Sequence, residues 1–530
     1  MGRGMQGLNA ERKRWAYALW LIFIISFAVM HALHLQADFP NHSPWFSDWA
    51  KYTDEGWYGN AAIRAHLFGK WYLPGDFNPA PAVPVWPFLE WVVFFFTGVS
   101  IQAARGLSTA FFFANLLMSY LLLRTRGPRW MALLALTLLV TSPFLYCFTR
   151  LAILEPMLTA FLLAALNLAV RLPSSHRPVW TSAVIGLMFT LMVLTKTTAV
   201  FLLPGLGWAM LLPLWRDRKL AVRCALAAGG SFALSFGAWM ALVLRLGLLA
   251  DYKYLFYIND YVKPDSAFWP IQSFWWSFHG GLWVDHILIP LSGLVVVATL
   301  VAWRRPWAHR LLLDPLFGAS VLSVVGYILF MTYQDHPQPR YFALVAFFSF
   351  FLVAQGAAAL VEEANAPRLV GRLVLALAGT AAVLNTFWTL SYVLHPEYSL
   401  VTAARQLTDY IDQHPNGNRI LTSISGDEIT LITHLPSLCD DFGTQELPDK
   451  LAVYKPGWYA TWNDLDPGTL ADIHTHFSLE QVASFRALDD PDRNVLVLFK
   501  LHPLPDGARD ESQENLQVAL PDDKILIPVE

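Results

Sequence analysis

Eleven stretches of this 530-residue chain run for fifteen or more residues with almost no charge, and that pattern constrains its fold more than any other feature. They cover about 15–35, 103–123, 131–148, 152–170, 180–194, 197–215, 224–246, 284–302, 313–331, 341–361 and 373–394. A helix needs about 20 apolar residues to cross a bilayer, where its polar backbone must be satisfied internally. Composition agrees: apolar types make up 55% of the chain and charged types 15%, against about 45–50% and about 25% in soluble globular proteins. A water-soluble multidomain protein is therefore excluded. The net charge of −3 excludes a nucleic-acid binder. Cys147, Cys224 and Cys439 show neither zinc-site nor disulfide-framework spacing.

The expected architecture is mainly α: a polytopic membrane bundle of about eleven spans over 1–395, followed by a small α/β domain over 396–530 with a polar tail from Pro505. The first span follows Arg12-Lys13-Arg14 and is too long for a signal-peptide core, so it reads as a retained anchor. The stretch 85–98 is apolar but short, and is expected at the interface or dipping in without crossing. Lys and Arg number 18 in one set of connecting segments and 8 in the other, which places the N-terminus in the cytoplasm and the C-terminal domain outside. Two outside loops are long, 36–84 and 247–283. The tail carries short alternating runs at Arg419–Ile424 and Val495–Lys500. His474 and His476 could share a strand face there, although a plain surface pair is the simpler reading.

The first outside loop holds most of the chemistry. Thr53 or Asp54 is placed to cap a helix running to about Phe68, with Gly69 ending it. Asp54 and Glu55 then stand at its start, with Trp57 and Tyr58 beside them and Asp76 near its far end. The bland alternative is a solvated helix start, since carboxylates suit that position anyway. In a partly dry pocket the same pair can act as a general base or hold a divalent cation. Arg150, Glu155, Lys196, Arg340 and Tyr341 fall at outside span ends. Each alone reads as an interfacial cation or a cap; together they suit a lipid-linked phosphate. The aromatic residues of 247–283 read mainly as interface anchors, with a sugar-stacking lid as the minor reading.

The ordered series over 15–395 resembles the GT-C glycosyltransferases that use polyprenyl-phosphate sugars, the group of the protein O-mannosyltransferases and the lipid A aminoarabinose transferase. The resemblance rests on Asp54-Glu55, on Gly69 to Asn78, and on Arg105-Gly-Leu-Ser108. It continues through Leu154-Glu155-Pro156, Leu194-Thr195-Lys196 and Arg340-Tyr341. Glu155 stands where the family usually has Asp, and the family's His-Pro-Pro appears only as Pro79-Ala-Pro81 and Pro84. The resemblance implies a hexosyl- or pentosyltransferase of the cell membrane, moving sugar from a polyprenyl or dolichyl phosphate to an extracytoplasmic protein, lipid or glycan. It implies Asp54 as base, with Glu55 orienting the acceptor or sharing a Mg²⁺ or Mn²⁺ ion. Lys196 and Arg340 then bind the donor phosphate with Arg64 as a weaker candidate, and Tyr58, Asp76, Glu155, Tyr341 and His279 are candidate substrate contacts. A secondary transporter or flippase is the rival. It should carry mid-membrane charges on broken helices and repeats, whereas ionisable residues here fall at span ends. A non-catalytic assembly subunit would leave Asp54, Glu55 and Lys196 unexplained.

Overall fold

A computed structural model describes residues 2–39, 48–255, 285–334, 338–363, 365–488, 493–505 and 518. Helices α1 (Gly2–Met30), α2 (Asp54–Phe68), α3 (Val85–Thr97), α4 (Ile101–Arg124), α5 (Arg129–Thr141), α6 (Pro143–Phe148) and α7 (Glu155–Ala169) come first. There follow α8 (Pro178–Thr195), α9 (Leu203–Leu211), α10 (Arg218–Arg245), α11 (Leu249–Lys253), α12 (Leu288–Val301), α13 (Pro306–Leu312), α14 (Pro315–Gln334), α15 (Phe342–Glu362) and α16 (Arg368–Leu394). Among the described residues eight helices are long and apolar enough to cross a membrane, or nine if α12 and α13, bent by 116°, form one span. Helix α3 is one of the shorter apolar helices, 13 residues long.

The eight or nine differ from the expected eleven for a physical reason. The expected span 131–148 is two helices, because Pro143 brings no N–H and disfavours helix at the residue before it. Ser142 turns there and its hydroxyl accepts the Leu145 N–H at 3.2 Å. The expected span 152–170 is α7, only 15 residues long and mostly buried. Helix α15 runs through the middle of the bundle, with 89% of its apolar window buried. Outward-facing side chains such as Phe96 (80% exposed), Val301 (80%) and Leu234 (78%) would be untenable in water at this density and need a hydrocarbon surround.

After the bundle come α17 (Ser399–Gln413), β1 (Leu421–Thr422), α18 (Gly426–Thr433), β2 (Ser437–Leu438) and α19 (Leu447–Tyr454). Then follow β3 (Trp458–Trp462), α20 (Pro467–Ile473), β4 (Phe477–Arg486) and β5 (Val495–Pro503). The sheet order is β2-β1-β3-β5-β4, parallel from β2 to β3 and antiparallel beyond. Successive residues of a strand point to opposite faces, so β5 serves two cores. Leu496 and Leu498 pack with α17, while Val497 and Phe499 pack with α19 and α20. His474 and His476 lie in the turn between α20 and β4 rather than on a strand.

Candidate active site

Helix α2 begins at Asp54 and stops where Gly69 adopts φ 71°, the left-handed conformation that glycine adopts without strain. Thr53 stands at the N-cap but its side chain makes no capping bond; its hydroxyl donates to Asp54 Oδ1 at 3.3 Å instead. Asp54 and Glu55 are 1% and 0% exposed, so the solvated helix start does not describe them. Burial pushes the Asp54 carboxyl up to about 6, while the nearby Arg340 guanidinium pulls the other way.

Asp54 faces a cluster assembled at the ends of three other elements. Arg340 sits in the tight turn Pro339–Tyr341 that leads into α15. Its backbone N–H and Nη1 donate to Asp48 at 2.8 and 2.5 Å, and its Nε lies 3.1 Å from Asp54 Oδ2. Lys196 ends α8 in an extended conformation (φ −154°) and donates to Glu155 at the start of α7. The Tyr341 ring contacts both cations, its centre 4.3 Å from Lys196 Nζ and 5.0 Å from Arg340 Cζ. An ammonium has three donors; Glu155 takes one of those of Lys196.

A cavity of about 680 Å³ opens over this cluster. Asp54, Tyr58, Lys196, Arg340 and Tyr341 line it from the bundle, so five of the expected residues meet in one place. Asp440, Asp441, Glu446, Lys450, Asp466 and Asp472 line it from the sheet unit. Burial, with Asp441 close by, pushes the Asp440 carboxyl to about 7.

Four expected residues lie outside the cavity wall. Glu55 points away because adjacent residues of a helix do not share a face. Its two oxygens accept from Arg105 Nε at 2.7 Å and Nη2 at 2.5 Å, and Oε1 also takes the Ala152 N–H. Glu55 is thus a buried staple between α2 and α4, not an orienting group at the cavity. Asp54 and Glu55 thus face different partners, Arg340 and Arg105, and among the described residues no group of three or more His, Cys, Asp or Glu is placed to hold a metal ion. Arg64 is 4% exposed and donates to Asp76 at 3.0 Å, Asp427 at 2.8 Å and the Ser437 carbonyl at 3.2 Å. Arg64 does not line the cavity, so it does not meet Lys196 and Arg340 there. Asp76 accepts from the Arg64 guanidinium and from the Cys439 N–H at 3.1 Å, and it does not line the cavity. Glu155 reaches the site only through Lys196. His279 and most of the second long loop lie outside the described residues.

Sequence reasoning missed Asp48 as the partner of Arg340, and it missed the whole wall supplied by the sheet unit. Asp48 lies six residues before Asp54, but no local pattern announces a partner 292 residues away.

A second cavity, about 640 Å³ and almost wholly apolar, lies between α2, α3, α8 and α10. Pro81, Pro84, Leu191, Leu194 and Trp239 line it. The Trp239 ring N–H holds the Pro81 carbonyl at 2.9 Å.

The model of the dolichyl-phosphate-mannose-protein mannosyltransferase family matches residues 79–241. ArnT from Cupriavidus metallidurans, solved bound to undecaprenyl phosphate, aligns with a TM-score of 0.62 at 14% identity, over 90% of this chain and 98% of that one. The archaeal oligosaccharyltransferase AglB from Archaeoglobus fulgidus, solved with an inhibitory peptide and a dolichol-phosphate, gives 0.53 at 12% identity, over 89% of this chain and 73% of that one. No curated protein matches the sequence. The chain has the GT-C fold of these membrane proteins.

Proposed function

We propose that this protein is a membrane glycosyltransferase that moves a sugar from a polyprenyl-phosphate carrier to a hydroxyl-bearing acceptor on the extracytoplasmic side. One observation carries the reading: a buried carboxylate, Asp54, shares a cavity with Lys196 and Arg340 at the ends of membrane helices. A carboxyl near 6 is ionised at neutral pH yet more basic than an ordinary aspartate, as a general base requires.

The acceptor O–H gives its proton to Asp54 as its oxygen attacks the anomeric carbon. The bond from that carbon to the phosphate oxygen breaks, and its electron pair leaves with the phosphate. Lys196 and Arg340 stabilise the charge that develops there. The chemistry suits a dry site, where such charge-assisted contacts are strong. The adjacent apolar cavity, with Leu194 two residues from Lys196, supports a lipid tail on the donor. The family match and the lipid phosphates bound by ArnT and AglB support the same donor class. The loop charge bias supports placing the cavity outside the cytoplasm. The transporter reading gains nothing from these neighbours.

The test is transfer of label from a polyprenyl-phosphate sugar in proteoliposomes, with Asp54→Asn as the companion. Donor consumption by the wild type that disappears in the variant is the expected result. A wild type that binds such donors but never cleaves them would overturn the reading.

A further inference from the structure

Helix α2 carries the proposed base on its first residue, yet the side chain of its N-cap residue, Thr53, makes no capping bond. The first N–H groups of a helix lack intrahelical partners and are normally taken by a nearby side chain. Thr53 is turned to Asp54 instead. The cap comes from 372 residues away: Glu428 on α18 accepts the Gly56 N–H on Oε2 at 2.9 Å.

The contact belongs to a continuous stripe. The Trp57 ring N–H donates to the Ile424 carbonyl at 3.1 Å, Asn60 to Asp427 at 3.3 Å, and Arg64 to Asp427 at 2.8 Å. Positions 56, 60 and 64 recur every four residues and so share one face of α2. Gly56 allows the approach, since a Cβ there would lie 2.2 Å from the backbone of Asp427 and Glu428. Glu428 is 0% exposed, and its Oε1 has no hydrogen-bond partner among the described residues. Burying this carboxyl group with one oxygen unserved is costly, and burial beside Glu55 pushes its pKa well above the usual range. The positive end of the α2 dipole offsets part of that cost. An apolar residue at this position would leave the buried Gly56 N–H without its acceptor.

We propose that Glu428 is a positioning residue: the sheet unit supplies the missing N-cap of α2 and thereby fixes Asp54 against Arg340 and the acceptor. This inference rests on reading Asp54 as the base. A displacement of the base by about 1 Å can cost on the order of a hundredfold in rate, while the donor phosphate contacts at Lys196 are left untouched.

The test compares Glu428→Gln with Glu428→Asp, and Asp54→Asn is run alongside in the same labelled-sugar transfer assay. Gln keeps an acceptor oxygen at the same reach, whereas Asp keeps the carboxyl group and loses one methylene of reach. The expected order is Gln near wild type and Asp down in kcat by roughly ten- to a hundredfold. KM for the donor and the melting temperature should stay close to wild type. Thr433→Ala, on the same helix, should change neither. Equal activity in Glu428→Asp and wild type, or Gln falling below Asp, would overturn the proposal, because charge or packing would then be the property that counts. A fall in kcat matched by lost thermal stability would overturn it too. If Asp54→Asn retains turnover, the base assignment itself is at fault; if only Glu428→Asp does, the positioning role alone fails.

Discussion

A single carboxylate, Asp54, sets the expected pH behaviour. Its base form exists above the raised value of about 6, so activity should hold at neutral pH and fall as pH drops through 6, not through 4. A pH–rate profile checks this, and Asp54→Asn should lower turnover by about 10²–10⁴ without weakening donor binding. The cations should behave in the opposite way. Lys196→Ala or Arg340→Ala removes a charge-assisted contact worth roughly 1.5–3 kcal/mol, which is about ten- to a hundredfold in donor affinity, measured by titration with the donor. Glu55, its neighbour in sequence, is a different kind of residue. Glu55→Gln leaves the Arg105 guanidinium buried with only part of its partner, at a cost of roughly 3–5 kcal/mol, so the melting temperature should fall while the donor KM holds. Residue types and the loop they occupy made Asp54 legible in the sequence. What separates it from Glu55 is the 100° turn between adjacent helical positions and the identity of the residue each one meets. No local pattern carries that second fact: Arg105 lies 50 residues on and Arg340 far beyond.

Single elements were legible where the controlling signal is local. The start of α2 at Asp54 and its end at Gly69 fall where the residue pattern puts them, although Thr53 at the N-cap makes no capping bond. The run 131–148 hides a helix break, because hydrophobicity runs straight through Ser142-Pro143 and the proline outweighs it. In the tail, β5 announced itself through Val495–Lys500, buried on both faces. Strand β4 (FSLEQVASFR) did not, since it lies at the edge of the sheet with mixed polar residues. Helix α18 was invisible as a functional element: its two acidic residues look like an ordinary helix start, and only the packing against α2 gives them a role.

At the scale of the whole molecule, membrane sidedness can be read by labelling. Val453 is 65% exposed on α19, and all three native cysteines are buried. A Val453→Cys protein should therefore react with an impermeant maleimide added to intact cells, against little background. Labelling that needs permeabilised cells would place the cavity in the cytoplasm and defeat the proposed acceptor side. The bundle was legible in outline because span-length apolar runs dominate the sequence. How the sheet unit closes over it was not, because that closure depends on pairings such as Arg64 with Asp427, 363 residues apart. The same pairings impose an order in time. The cavity draws its walls from positions between Asp54 and Asp472, so a chain emerging from the ribosome can insert its early helices long before it has a place for a substrate. Until Asp427 and Glu428 are made, Arg64 and the first turn of α2 wait half-partnered. Catalytic competence should thus arrive late in synthesis and in one step, as a property that no nascent fragment ending before α18 can show.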